Sequence, residues 1–134
     1  MVVGTGAFSE RGALARYAAA FGDRLVVAVD TRGGHVAVSG WLEETGLTAE
    51  EAAARCAEAG VQRLLCTAIE RDGTLAGPDV ELLARVLTAS GLPVIAAGGI
   101  RSRADLDAVE AAGCEAAIVG RALLDGSLPL TVLR

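Results

Sequence analysis

Three side chains stand where they could move protons on a bound substrate. Asp30 follows the apolar run Leu25–Val29 and leads into Thr31-Arg32-Gly33-Gly34. A carboxylate at the end of a buried strand can donate or take a proton once burial or a neighbouring charge raises its pKa. Aspartate is also a common turn former, so a purely structural Asp30 is the competing reading. Thr67 lies near the end of the next apolar run, Gln62–Ile69, and its hydroxyl can position a substrate or relay a proton. Asp72 sits in the loop that follows, Glu70–Pro78. Two later runs end in glycine: Ala97-Gly98-Gly99-Ile100 and Val119-Gly120-Arg121-Ala122. Glycine lets backbone N–H groups approach an oxyanion closely, and a following helix adds a favourable dipole. Two such ends on successive strands, one carrying an arginine, favour a phosphate site over simple chain turning. Gly4-Thr5, closing the first apolar run, could supply a second phosphate site. Trp41, the only tryptophan, could stack on a planar heterocycle or pack over the mouth of the site. His35, the only histidine, reads as a loop residue, and Arg71 as a solvated or substrate-steering charge.

The composition bounds what must position these groups. At 134 residues the chain is at most one domain, 1–134. It is 52% hydrophobic but only 3% aromatic, so the core must be built from Ala, Val, Leu and Ile. The net charge is −5 and the arginines are scattered, which argues against a nucleic-acid partner. The apolar runs are too short to span a membrane, and no signal peptide opens the chain. The three cysteines, Cys56, Cys66 and Cys114, lack zinc-site or disulfide-framework spacing. They read as reduced, buried thiols in a cytoplasmic protein.

Strand and helix signals alternate along the chain. Met1–Thr5 is an apolar run, and Ser9 is placed to cap a helix over Glu10–Phe21. The Leu25–Asp30 strand is followed by Thr31–Thr48, a long loop of the kind that is often functional. Thr48 and Glu51 form a capping box for a helix ending near Gly60. Further helices are expected over Asp79–Ser90 and from Ser102 to about Ala112, with strands over 93–97 and 115–119. Five strands and four helices in alternation require an α/β fold with a parallel sheet. Their spacing fits either an eight-stranded barrel or a doubly wound sheet. The first and last strands echo each other, Val2-Val3-Gly4-Thr5-Gly6-Ala7 against Ile118-Val119-Gly120-Arg121-Ala122-Leu123. A twofold repeat in a symmetric barrel would produce such a pair, as strands four and eight.

The stretches VVGTGA, VVAVDTRGGHVAVSGW, TAIERDGTLAGPDVELL, GLPVIAAGGI and AAIVGRALLDG carry a family likeness. In order and spacing the chain resembles the C-terminal part of the phosphoribosylformimino-5-aminoimidazole carboxamide ribotide isomerases, the histidine-biosynthesis barrels. The cyclase subunit of imidazole glycerol phosphate synthase shares the half-barrel architecture, but the loop GGHVAVSGWLEETG is similar to the isomerase. The resemblance implies a partial (βα)8 TIM barrel, with five parallel strands corresponding to strands 4 to 8 and strands 1 to 3 absent. It implies an Amadori rearrangement: an aminoaldose ribosyl phosphate opens its ring and tautomerises to the aminoketose, with no cofactor or metal. Asp30 matches the family's C-terminal catalytic aspartate, and Thr67 the threonine that assists at the sugar. Asp72 falls in the substrate-contacting loop. Gly98, Gly99, Gly120 and Arg121 match one phosphate site, and Gly4 and Thr5 part of the other. Trp41 matches a tryptophan that stacks on the substrate. The implied partner is a phosphoribosyl small molecule with two phosphates, not a nucleic acid or a membrane.

The chain departs from the family in one respect. The second catalytic aspartate ends the first strand of the full barrel, and this chain starts at strand four, with residue 1 already inside a strand. It therefore reads as truncated. Five strands cannot close an eight-stranded barrel, and open edges invite pairing. Little isomerase activity is expected of the isolated chain, which would pair as a homodimer or with a complementing N-terminal half-barrel. Two alternatives stand beside the isomerase: a non-catalytic phosphosugar-binding or assembly module, and a dual-substrate isomerase that also acts on phosphoribosyl anthranilate.

Overall fold

The computed structural model describes residues 1–38, 40 and 42–133. Its parallel strands are β1 (Val2–Val3), β2 (Val26–Arg32), β5 (Leu64–Ala68), β6 (Val94–Ala97) and β7 (Ala116–Ile118). β1 pairs with β2, β2 with β5, β5 with β6 and β6 with β7, all in parallel. The parallel strands thus stand side by side in chain order. The helices are α1 (Ala13–Phe21), α2 (Ala49–Glu58), α3 (Val80–Ser90), α4 (Arg103–Ala111) and the short α5 (Arg121–Leu124).

Among the described residues the sheet holds the five expected parallel strands and two more, seven in all. The stretch Thr31–Thr48, read as a long loop, contains β3 (His35–Val38) and β4 (Glu43–Thr48), paired antiparallel with each other. β3 also pairs antiparallel with the end of β2, through Thr31↔Val36 and Arg32↔His35. The turn between them is Gly33-Gly34, with φ +56° and +81°. Positive φ at both central residues matches the right-handed twist of a two-residue hairpin, and glycine adopts it without steric cost. Gly-Gly before His35-Val36-Ala37-Val38 was thus the signal for the hairpin. One consequence is that β2 continues two residues past Asp30 instead of ending there. β5 pairs with Val27–Thr31, so β1 at Val26–Val27 and β3 at Thr31–Arg32 share the opposite edge of β2.

Three helices start on side-chain caps, one of which, Asp79, is expected from the sequence as the first helical residue and not as a cap. Thr48 and Glu51 exchange both capping-box bonds, at 3.2 and 2.9 Å. The Asp79 carboxylate accepts from the Leu82 amide, and the Ser102 hydroxyl from the Asp105 amide. Ser9 does not cap α1; it ends a 3-10 turn over Thr5–Phe8, and the residue before α1 is Gly12 at φ +80°.

The core lies between one face of the sheet and the helices. Val27, Val29, Leu64, Cys66, Val94 and Ala96 are buried against Ala49, Ala52, Ala53 and Cys56 of α2 and Leu82, Leu83 and Val86 of α3. Small side chains on α2 let the helix approach the sheet closely. The three cysteines are free and buried. Burial pushes the Cys56 and Cys66 thiols up to about 12, so at neutral pH they pack as small apolar groups. The alternate side chains, Asp30, Leu65, Ile95, Ala97 and Ile118, are less covered, and Ile118 is 51% exposed at the β7 edge. No helix of the described residues is long and apolar enough to cross a membrane.

Thr48→Ala removes the acceptor at the start of α2 and should cost about 1 kcal/mol, read as a lower urea midpoint at unchanged slope. Glu51 is held below the ordinary carboxylate range, chiefly by its bond from the Thr48 amide. A depressed folded pKa contributes stability above the unfolded value, about 4.5, that is lost as pH falls through the folded one. Urea titrations from neutral pH to about pH 3 should therefore show a steeper loss for the wild type than for Glu51→Gln.

Candidate functional site

The parallel register sets Asp30 opposite Thr67, Thr67 opposite Ala97 and Ala97 opposite Ile118. Register partners on adjacent parallel strands point to the same side of the sheet, with strands about 4.8 Å apart. Asp30 and Thr67 are therefore neighbours on the face away from the core, near the carboxyl ends of their strands. Asp30 is half-buried, while Thr67 is only 7% exposed. The Thr31 hydroxyl donates to the Thr67 carbonyl at 3.1 Å, a buried bond that pins the end of β2 to β5. Above it, the Gly33 amide donates to the Glu70 carboxylate at 3.4 Å.

The end of β6 depends on missing β-carbons. Gly98 and Gly99 have φ of +101° and +79°. A β-carbon on Gly98 would stand 2.6 Å from the Ala68 carbonyl oxygen, and one on Gly99 2.4 Å from that of Gly77. The Gly77 amide donates to the Gly99 carbonyl at 2.9 Å, joining the loop after β5 to the end of β6. Asp72, Gly73, Leu75, Gly98, Gly99, Ile118, Gly120 and Arg121 together line a concavity there. Among the described residues, no backbone carbonyl accepts from the amides of Gly98, Gly99 or Gly120. Gly98 and Gly99 are buried, and buried N–H groups are otherwise almost always bonded. Arg121 Nη1 donates to the Gly73 carbonyl at 2.7 Å, and its Nε lies 3.9 Å from Asp125. With Arg121 so placed the concavity holds only about 20 Å³, room for roughly one water.

Of the residues singled out from the sequence, the structure gathers Asp72, Gly98, Gly99, Gly120 and Arg121 in one concavity, and sets Asp30 beside Thr67. Gly4 and Thr5 lie apart, after β1, with Gly4 in extended backbone and Thr5 buried. Asp30 and Thr67 thus stand between two glycine-bearing strand ends. Three strand intervals separate the ends of β1 and β6, roughly 14 Å across the sheet. Trp41 lies outside the described residues. His35 is exposed, with Nδ1 3.3 Å from the Gly33 carbonyl oxygen. Arg71 is not a solvated charge; it is half-buried and bonded to Gly77. Leu75, at φ +55°, carried no signal in the sequence. A larger cavity of about 440 Å³, between the 3-10 turn at Phe8 and the β3–β4 hairpin, includes none of the predicted site residues.

A mostly parallel α/β sheet with glycines and a carboxylate near the carboxyl ends of its strands belongs to the class that binds ligands at that end. The chain belongs to the histidine biosynthesis protein family, whose model matches residues 1–129. It is 46% identical, over 99% of its length and 56% of the relative's, to the 1-(5-phosphoribosyl)-5-((5-phosphoribosylamino)methylideneamino)imidazole-4-carboxamide isomerase of Halothermothrix orenii. The isomerases of the same name from Thermomicrobium roseum and Thermus thermophilus are 48% and 47% identical, over 94% and 96% of the chain and 52% and 55% of their own lengths. The chain thus spans about half the length of the curated relatives it matches.

Gly98→Ala and Gly99→Ala should each destabilise the fold by about 2 kcal/mol or more, because positive φ and a backbone clash act together. Gly120→Ala, whose β-carbon would meet nothing within 4 Å, should leave the urea midpoint within about 0.5 kcal/mol of wild type.

Proposed function

We propose that this chain supplies one catalytic carboxylate and the phosphate-binding strand ends of an aldose–ketose isomerase. The reaction is the Amadori rearrangement of a phosphoribosylated aminoimidazole carboxamide in histidine biosynthesis. The observation that carries the reading is the Asp30–Thr67 pair set between two glycine-bearing strand ends. A substrate with a phosphate at each end fits a sheet whose two candidate anion sites lie roughly 14 Å apart or more. The names and identities of the relatives support the same substrate class.

The sheet is read as five strands of a (βα)8 barrel, corresponding to strands 4 to 8. The order β1-β2-β5-β6-β7 supports this, because a doubly wound sheet reverses its strand order at a switch point and this run does not. Ring opening needs a proton donated to the ring oxygen; tautomerisation then needs one removed from C2, one returned at C1, and the 2-hydroxyl proton released as the ketone forms. Asp30 supplies one acid–base group, with Thr67 orienting the sugar beside it. The anionic ends are held by the free amides of Gly98, Gly99 and Gly120 with Arg121, and by Gly4 and Thr5. Trp41 is assigned to the heterocycle. The reading invokes no metal or cofactor. The family resemblance implies a pair of catalytic aspartates, of which Asp30 is one, so residues 1–134 alone should turn over little substrate. A cytoplasmic setting follows from the biosynthetic role and suits three free thiols.

The test is complementation. The purified chain, mixed with the N-terminal half of the Thermus thermophilus relative, should gain isomerase activity. Asp30→Asn should lower kcat of that assembly by about 10²–10⁴-fold. Full activity of the Asp30→Asn assembly would remove Asp30 from the mechanism. The uncommitted glycine amides equally favour a second reading, a phosphosugar-binding or assembly module. Sugar-phosphate binding without any rescue of turnover would select it. Parallel assays of the complemented protein with phosphoribosyl anthranilate decide whether one substrate or two are used.

A further inference from the structure

Arg71 has no role in the reading above, yet it is the residue on which the loop after β5 closes. Its carbonyl accepts from the Thr74 amide at 3.1 Å and from the Thr74 hydroxyl at 2.6 Å. Its guanidinium Nη1 donates to the Gly77 carbonyl at 3.2 Å. The Gly77 amide donates in turn to the Gly99 carbonyl. The Arg71 Cβ lies 3.1 Å from where a β-carbon on Gly99 would stand, so its side chain borders the end of β6. Within the loop, Leu75 is the only described non-glycine residue at positive φ. Such a conformation costs about 1–2 kcal/mol and persists only where the surroundings fix it. The bonds made by Arg71 span Leu75 on both sides.

We propose that Arg71 is a positioning residue of the concavity. By holding the Gly77 carbonyl it fixes the 72–77 loop, so that Asp72 and Gly73 face the amides of Gly98 and Gly99. This rests on the reading of the concavity as a phosphate site. Arg71 does not line the concavity and acts on it through Gly77. A guanidinium suits the task, because its donors sit in a fixed plane and its charge is permanent.

The experiment titrates the chain with inorganic phosphate and follows the amide resonances of Gly98, Gly99 and Gly120, with hydrogen exchange at Gly77 measured in parallel. In Arg71→Ala, phosphate affinity should fall about tenfold and Gly77 should exchange at least about tenfold faster, as loss of a charged hydrogen bond predicts. Protection of Val27 and Leu64 in the sheet should not change, which separates positioning from general destabilisation. Should the alanine variant unfold, Arg71→Lys keeps one donor and should show a smaller loss in both quantities together. Unchanged affinity and unchanged Gly77 exchange in a folded variant would overturn the proposal. So would reduced affinity with Gly77 still protected, which would make Arg71 a direct charge contact. If the wild type does not bind phosphate, the phosphate reading falls, and the Gly77 exchange rates still decide whether Arg71 holds the loop.

Discussion

The backbone of Gly99 lies against Gly77 because Gly99 carries no β-carbon. A methyl group at Gly99 would stand 2.4 Å from the Gly77 carbonyl oxygen, well inside any permitted contact. That close approach allows the hydrogen bond from the Gly77 amide to Gly99, which ties the loop after β5 to the end of β6. The loop in turn brings Asp72 and Gly73 to the concavity and gives Arg121 a carbonyl to bond. Without the approach, the site residues of three consecutive strand ends would share a sheet but not a surface.

Beneath this end the sheet is held by register and by small side chains. The ladder from Val27↔Leu64 to Thr31↔Ala68 alternates core positions with site positions, so Val27, Val29, Leu64 and Cys66 face the helices while Asp30 and Thr67 face away. A slip of one residue would exchange the two sets, burying the carboxylate and exposing valines. The buried Thr31–Thr67 bond fixes that register at the carboxyl end of the strands.

Much of this was legible in the sequence because it rests on local rules. The capping box at Thr48 and Glu51, the cap at Ser102, and the glycine stops at Gly60 and Gly91 all depend on neighbours three or four residues away. The five parallel strands followed from apolar runs between those helices. What was misread depended on pairing or on distant contacts. The hairpin in 31–48 was passed over, although Gly33-Gly34 marks it, because length alone suggested a loop. Ser9 has the chemistry of a helix cap, yet the chain turns in a 3-10 segment just before it and α1 begins after Gly12. Of the site, the residue types and their strand ends were readable. The bond from Arg71 to Gly77 and the left-handed Leu75 were not: a guanidinium reaching a carbonyl in the same loop follows no local capping rule, and leucine is not a residue type that marks positive φ.

The bond from Arg121 to the Gly73 carbonyl has a consequence for selectivity. A phosphate entering the concavity would compete with the Gly73 carbonyl for the Arg121 guanidinium, a hydrogen bond weakened by its exposure to water. An anion offsets that loss by taking the guanidinium itself. A neutral sugar cannot. As the phosphate site proposed above, the concavity would filter its ligands by charge before shape is tested, using a contact formed entirely within the protein.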